Sequence, residues 1–192
     1  MIMGAFKKIL TPVDYIRIEH PEKRVFDIYI PLIASLAIAA FIFSLDKPVP
    51  IIAKDGLISV INGILQILSG FYIASMAAVA TFQKSGMDSI MDGTPPTLKG
   101  KDLTRRKFLT YLFGYLAFAS IIMYLIGGGL QLLSPTLSSA QWAKICWVKI
   151  SFVVIYLFII ANIICTTILG MYFMIDKMHD EKPKLNSEHK DL

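Results

Sequence analysis

The side chains best able to do covalent or metal chemistry are few and poorly spaced for it. Cys146 and Cys165 stand nineteen positions apart. Cys165 lies inside an apolar run, where two unpaired thiols packing as small apolar groups are the expected state rather than a disulfide. His20, His179 and His189 fall in polar segments, at no spacing that joins them to the cysteines as metal ligands. Serines occur, but no Gly-x-Ser-x-Gly turn and no histidine base within an apolar run accompany them. No catalytic residue, metal or cofactor site is therefore expected, and the chain is not read as an enzyme.

The side chains with most to do are amides. Asn62 and Gln66 are four apart, and Asn162 and Thr166 repeat the spacing, so each pair shares one face of a helix. All four sit in apolar surroundings, where an amide or hydroxyl needs a hydrogen-bond partner on another helix, on another subunit or in pore water. Inter-helix packing, pore lining and a ligand-sensing site all fit these residues.

The elements that must hold them are membrane spans. Of the 192 residues, 55% are hydrophobic and only 17% charged, against roughly 25% charged in an average soluble domain, and the mean hydropathy is +0.62. A helix crosses a hydrocarbon core with about 20 apolar residues. Charge-poor runs at about 28–45, 57–83, 108–133 and 150–175 predict four such helices. The expected architecture is an all-α, four-helix integral membrane protein: a segment 1–27, a transmembrane domain 28–175 with a loop 84–107, and a flexible polar tail 176–192. Segment 1–27, the loop and the tail hold five, six and four basic residues, fifteen of the chain's 19. By the positive-inside rule both termini and the loop face the cytoplasm.

Within the loop, "DGTPP" reads as a turn and stop, because Gly93 accepts positive φ while Pro95 and Pro96 hold the chain extended. In "KGKDLTRRKF", Thr104 or Asp102 is placed to cap the third helix. Lys99, Lys101, Arg105, Arg106 and Lys107 are placed to meet anionic headgroups or a cytoplasmic partner. Ile2, Phe6, Ile9, Leu10 and Val13 recur on one side of a short N-terminal helix, opposite Lys7 and Lys8, which suits either the membrane interface or a partner.

Small residues predict close helix contact: Gly70, Ala74 and Ala78 form one stripe, and Ser35 with Ala39 a shorter one. Gly127, Gly128 and Gly129 are expected to fray the outer end of the third helix. Tyr124, Trp142 and Trp147 mark the outer interface and Tyr172 the inner one. Ionisable side chains are expected only outside the spans. That pattern disfavours ion-coupled transport, which keeps such groups at membrane depth.

The layout resembles a known family. The charged pre-membrane segment "EHPEKRVFDIYIPLIASLAI", four spans and a basic loop are similar to KwaA, the membrane subunit of bacterial Kiwa anti-phage systems. The sharpest stretch of the resemblance is "FDIYIPLI", Phe26 to Ile33. It implies a homo-oligomeric sensor of phage attack in the inner membrane that carries a cytoplasmic DNA-binding effector, KwaB, and it transfers no catalytic residue. The residues themselves suit recruitment better than chemistry. The expectation is an oligomeric sensor and scaffold with a cytoplasmic protein partner and no direct nucleic-acid contact. An oligomeric, holin-like pore is the alternative, with Asn62, Gln66 and Asn162 facing water.

Overall fold

The computed structural model describes residues 8–83, 86–91, 93–139 and 145–177, with only the backbone of residues 138, 139, 176 and 177. A run of about 20 apolar residues can satisfy its peptide groups in lipid only as a helix, and four such helices form: α1 (Ile30–Ser44), α2 (Leu57–Thr81), α3 (Arg105–Leu132) and α4 (Cys146–Tyr172). A π-helical turn, Val25–Tyr29, extends α1 at its start, and another, Phe173–Lys177, extends α4 at its end. All four helices are long and apolar enough to cross a membrane. The protein is helical and membrane-embedded.

The span boundaries shift in one consequential way. The first spanning helix begins at Val25 rather than residue 28, so it takes in Asp27, and the expectation that no ionisable group enters a span fails. The basic residues Arg105 to Lys107 and Lys149 likewise lie in the first turns of α3 and α4.

The helices pack chiefly as two antiparallel pairs, α2 with α3 and α1 with α4, joined where α3 meets α4. From α2 the core takes Ile58, Leu65, Tyr72 and Val79, and from α3 Leu109, Leu112, Phe113 and Leu116. Helix α1 buries a narrow line, Pro31, Ser35 and Ala39. Small side chains at four-residue steps let it lie close to Val153 and Leu157 of α4. Tyr72 adds a polar tie, its hydroxyl 2.6 Å from that of Thr167. The hydroxyl of Thr167 in turn donates to the Ile163 carbonyl.

Glycines 127 to 129 do not fray the end of α3, which runs on to Leu132 and is followed by a six-residue helix, Ser134–Ser139. Gly127 is there for closeness. A Cβ on it would collide with the Asn62 amide on α2.

At one end of the bundle the chain builds a cap. Strands β1 (Thr97–Leu98) and β2 (Lys101–Asp102) pair as an antiparallel hairpin. Its two-residue turn puts Lys99 and Gly100 at φ 54° and 74°, the left-handed pair that a tight hairpin needs. Thr97 also exchanges two backbone hydrogen bonds with Glu19, at 2.9 and 3.1 Å, so the N-terminal segment and the middle loop form one folded unit. Ile18, Met87, Met91, Leu98 and Leu103 are buried beneath it.

Most of the expected amphipathic helix lies outside the described residues, and after Leu10 the chain turns. Ile9 and Leu10 are exposed, and a 3-10 helix, Thr11–Arg17, presents Tyr15 inward with no exposed surface. Ile2, Phe6, Lys7, Lys84, Trp142, Lys144 and the tail beyond residue 177 lie outside the described residues.

Candidate functional site

Pro31 organises a polar place inside the protein. Having no N–H, it cannot bond the carbonyl four residues back, which is that of Asp27. The amide of Asn162 on α4 supplies a donor instead, Nδ2 to the Asp27 carbonyl oxygen at 2.8 Å. Asn162 Oδ1 is satisfied in turn by the Tyr115 hydroxyl of α3 at 2.7 Å. One side chain therefore ties α1, α3 and α4 together where the backbone of α1 widens into its π-helical turn.

The Asp27 side chain completes the cluster. Its carboxylate pairs with Lys23 one turn earlier at 2.9 Å, with the two side chains only 9% and 13% exposed. The Tyr15 hydroxyl donates to it at 3.3 Å, and the Thr166 hydroxyl approaches at 3.5 Å. Lys23 Nζ also lies 4.6 Å above the Tyr15 ring and donates to the Ile16 carbonyl at 3.3 Å. Tyr15 stacks on Tyr115 with ring centroids 4.9 Å apart. Burial, and then the negative charge of Asp27, push the Tyr15 phenol well above its ordinary range, so it stays a neutral donor. Buried charges hold in a low-dielectric place only when paired and hydrogen-bonded, and both conditions are met.

The cluster forms one wall of a cavity of about 850 Å³ between segment 16–24, the start of α1, the approach to the hairpin and α4. The cluster joins the cap to the bundle. Among the described residues no group of three or more histidines, cysteines or carboxylates could hold a metal ion.

The residues singled out from sequence divide between this site and others. Asn162 and Thr166 belong to it. Asn62 is buried against Gly127, its Oδ1 without a hydrogen-bond partner among the described residues. Gln66 is exposed one turn on, and both line a groove with Ser59, Gly63, Gly128 and Gln131, toward the end of the bundle away from the cap. Gly70, Ala74 and Ala78 are exposed, on a different face of α2 from its buried residues, which run from Ile58 through Leu65 and Tyr72 to Val79. Trp147 and Tyr172 are exposed at the two ends of α4, and Tyr124 is exposed about two turns before the end of α3.

The structure divides the basic cluster. Arg105 is buried. Arg106 forks onto Asp88 at 2.8 and 3.1 Å and reaches the carbonyls of Val79 and Ala80 at the end of α2. Of the three, Lys107 alone points outward. Thr104, not Asp102, caps α3, accepting from the Lys107 N–H. Lys99 leans on Asp14 at 3.6 Å, and Lys101 is exposed on the hairpin.

Sequence reasoning missed Lys23, Asp27, Tyr15 and Tyr115. The available signal was Asp27 four residues before Pro31, which leaves a backbone carbonyl without its helical donor inside an apolar run. No family model matches the chain, and no curated protein and no solved structure is similar to it.

Proposed function

We propose that the protein is a sensor and scaffold in the inner membrane of a bacterium, with both termini and the cap in the cytoplasm, that recruits or controls a cytoplasmic effector protein. The observation that carries this reading is the mechanical continuity of cap and bundle. Glu19 and Thr97 join the N-terminal segment to the loop, and Lys23, Asp27 and Tyr15 root that unit against α3 and α4. A change in helix packing has a direct route to the cap surface, because both depend on the same few bonds. The charge distribution supports the orientation, and the resemblance of the layout to the Kiwa membrane subunit supports anti-phage defence as the setting and an effector of the KwaB kind as the partner. The exposed Gly70, Ala74 and Ala78 stripe supports a homo-oligomer.

The test is a mild-detergent pull-down of the tagged full chain from its native host, beside Lys99→Glu and Lys101→Glu variants on the hairpin. A stoichiometric soluble protein lost from both variants supports the reading. Recovery of the chain without such a protein, at wild-type expression, overturns it.

A second reading, an oligomeric pore, draws on Asn62 Oδ1, unpartnered among the described residues, and on exposed Gln66 in the groove they line. Expression of the chain by itself separates the two: a pore depolarises the cell and a scaffold leaves the membrane potential unchanged.

A further inference from the structure

The cavity beside the Asp27 cluster is lined by two kinds of residue. The basic side chains Arg17, His20 and Arg24 come from the segment before the first spanning helix, while the apolar Ile28, Phe158 and Ile159 come from the spanning helices themselves. Ile28 lies within the first membrane-spanning helix, and Phe158 and Ile159 within the fourth. The basic residues are thus at the membrane boundary and the apolar ones at the depth of lipid chains.

The charges are unequally committed. Asp27 is matched by Lys23, and Arg17 is held by Asp14 at 3.0 Å. Arg24 is exposed and has no ion pair or side-chain hydrogen bond among the described residues. Glu19 is the one acid of the lining besides Asp27. A ligand that satisfies both kinds of residue carries negative charge on a compact head and an apolar tail. Diffuse attraction of the Arg105 to Lys107 cluster to lipid does not substitute for this site, because Arg105 is buried and Arg106 is engaged by Asp88.

We propose that this cavity binds one acidic phospholipid, its phosphate against Arg24 with Arg17 and His20 beside it, and an acyl chain along Ile28, Phe158 and Ile159. The occupant bridges segment 16–24, α1 and α4, which the Asp27 cluster also joins, together with α3. Binding there stiffens the attachment of the cap.

The experiment is native mass spectrometry of the purified full chain in mild detergent with equal amounts of phosphatidylglycerol and phosphatidylcholine, alongside thermal melting. The wild type is expected to retain phosphatidylglycerol selectively and to melt higher with it. One fewer basic charge near a phosphate weakens binding about fivefold, the loss expected for Arg24→Gln. Ile159→Trp, which fills space among the apolar residues and keeps every charge, should abolish retention. Lys101→Gln, on the hairpin outside the cavity, should leave it unchanged.

Equal retention of the two lipids overturns the proposal, as does equal weakening by Lys101→Gln, which marks surface attraction without a site. Millimolar inorganic phosphate separates a lipid from a free anion. Stabilisation by phosphate that Arg24→Gln removes and Ile159→Trp leaves intact also overturns it. Melting of each variant without lipid checks that both fold. None of these outcomes depends on a protein partner, so this test and that of the scaffold reading fail independently.

Discussion

Asn162 donates its side-chain N–H to the backbone carbonyl of Asp27, 135 residues earlier in the chain, across 2.8 Å. The bond replaces the one Pro31 is unable to make, which yields a coupling prediction. Asn162→Leu strands the Asp27 carbonyl and the Tyr115 hydroxyl together and should cost about 1–3 kcal/mol. In a Pro31→Ala background the residue at 31 regains an N–H and can serve that carbonyl within the helix, so the same substitution should cost less. Reversible unfolding in mixed micelles measures all four corners of the cycle. Equal costs in both backgrounds reject the substitution of one donor for the other.

Lys23 and Asp27 make a second cycle. Removing one partner leaves the other charged and mostly buried, and losses of about 3–5 kcal/mol are usual for such a step. Lys23→Met and Asp27→Leu singly should each destabilise strongly, while the double variant recovers much of the loss. The same micelle unfolding reads it out, and a double variant as unstable as the sum of the singles speaks against the pair.

Gly127 sits where Asn62 crosses it. Gly127→Ala forces its new methyl into the amide, an overpacking of about 1–3 kcal/mol, whereas Gly128→Ala meets open space and should be near neutral. Asn62→Ala should relieve most of the Gly127→Ala penalty. Thermal melting of the three variants and the double decides it.

The loop is predicted to open in acid. Hydrogen bonding from the Arg106 guanidinium holds the Asp88 carboxyl below its ordinary value of 3.8. A carboxyl lowered by folding stabilises the fold fully above its unfolded value and loses that contribution as pH falls through the folded one. Proteolysis of residues 86–104 should therefore be slow at neutral pH and speed up only below about pH 4, within the range of ordinary carboxylate titration. Asp88→Asn should expose the loop at every pH, and an unchanged cleavage rate at neutral pH would argue that the pair is idle.

The two cysteines report orientation. Cys146 is exposed in the first turn of α4, at the end away from the cap, and Cys165 is half-buried within the span. With the cap in the cytoplasm, a membrane-impermeant maleimide added to spheroplasts should label Cys146 quickly and Cys165 hardly at all. Labelling of Cys146 only after the cells are opened reverses the orientation.

How much of this was legible beforehand follows from the range of each force. The four helices are visible in the sequence because the requirement behind them is local: about twenty apolar residues in a row leave the backbone one way to satisfy itself in lipid. The Thr104 cap and the Gly93 turn are local for the same reason, as is the clustering of basic residues at alternate connections. The partners of Asn162 were not legible. A span apolar all round carries no stripe that says which side meets another helix, so the interior of the bundle is settled by shape and by polar groups left over, such as the Asp27 carbonyl below Pro31. The pairing of Thr97 with Glu19 and the inward turn of Arg105 and Arg106 were hidden likewise, because residues far apart in the chain decide them. Composition and local spacing were enough to make this a helical membrane protein with a basic end. That the basic end is folded, that a buried ion pair fastens it, and that a cavity opens beside that pair all follow from packing, because each depends on side chains that meet only once the helices have come together.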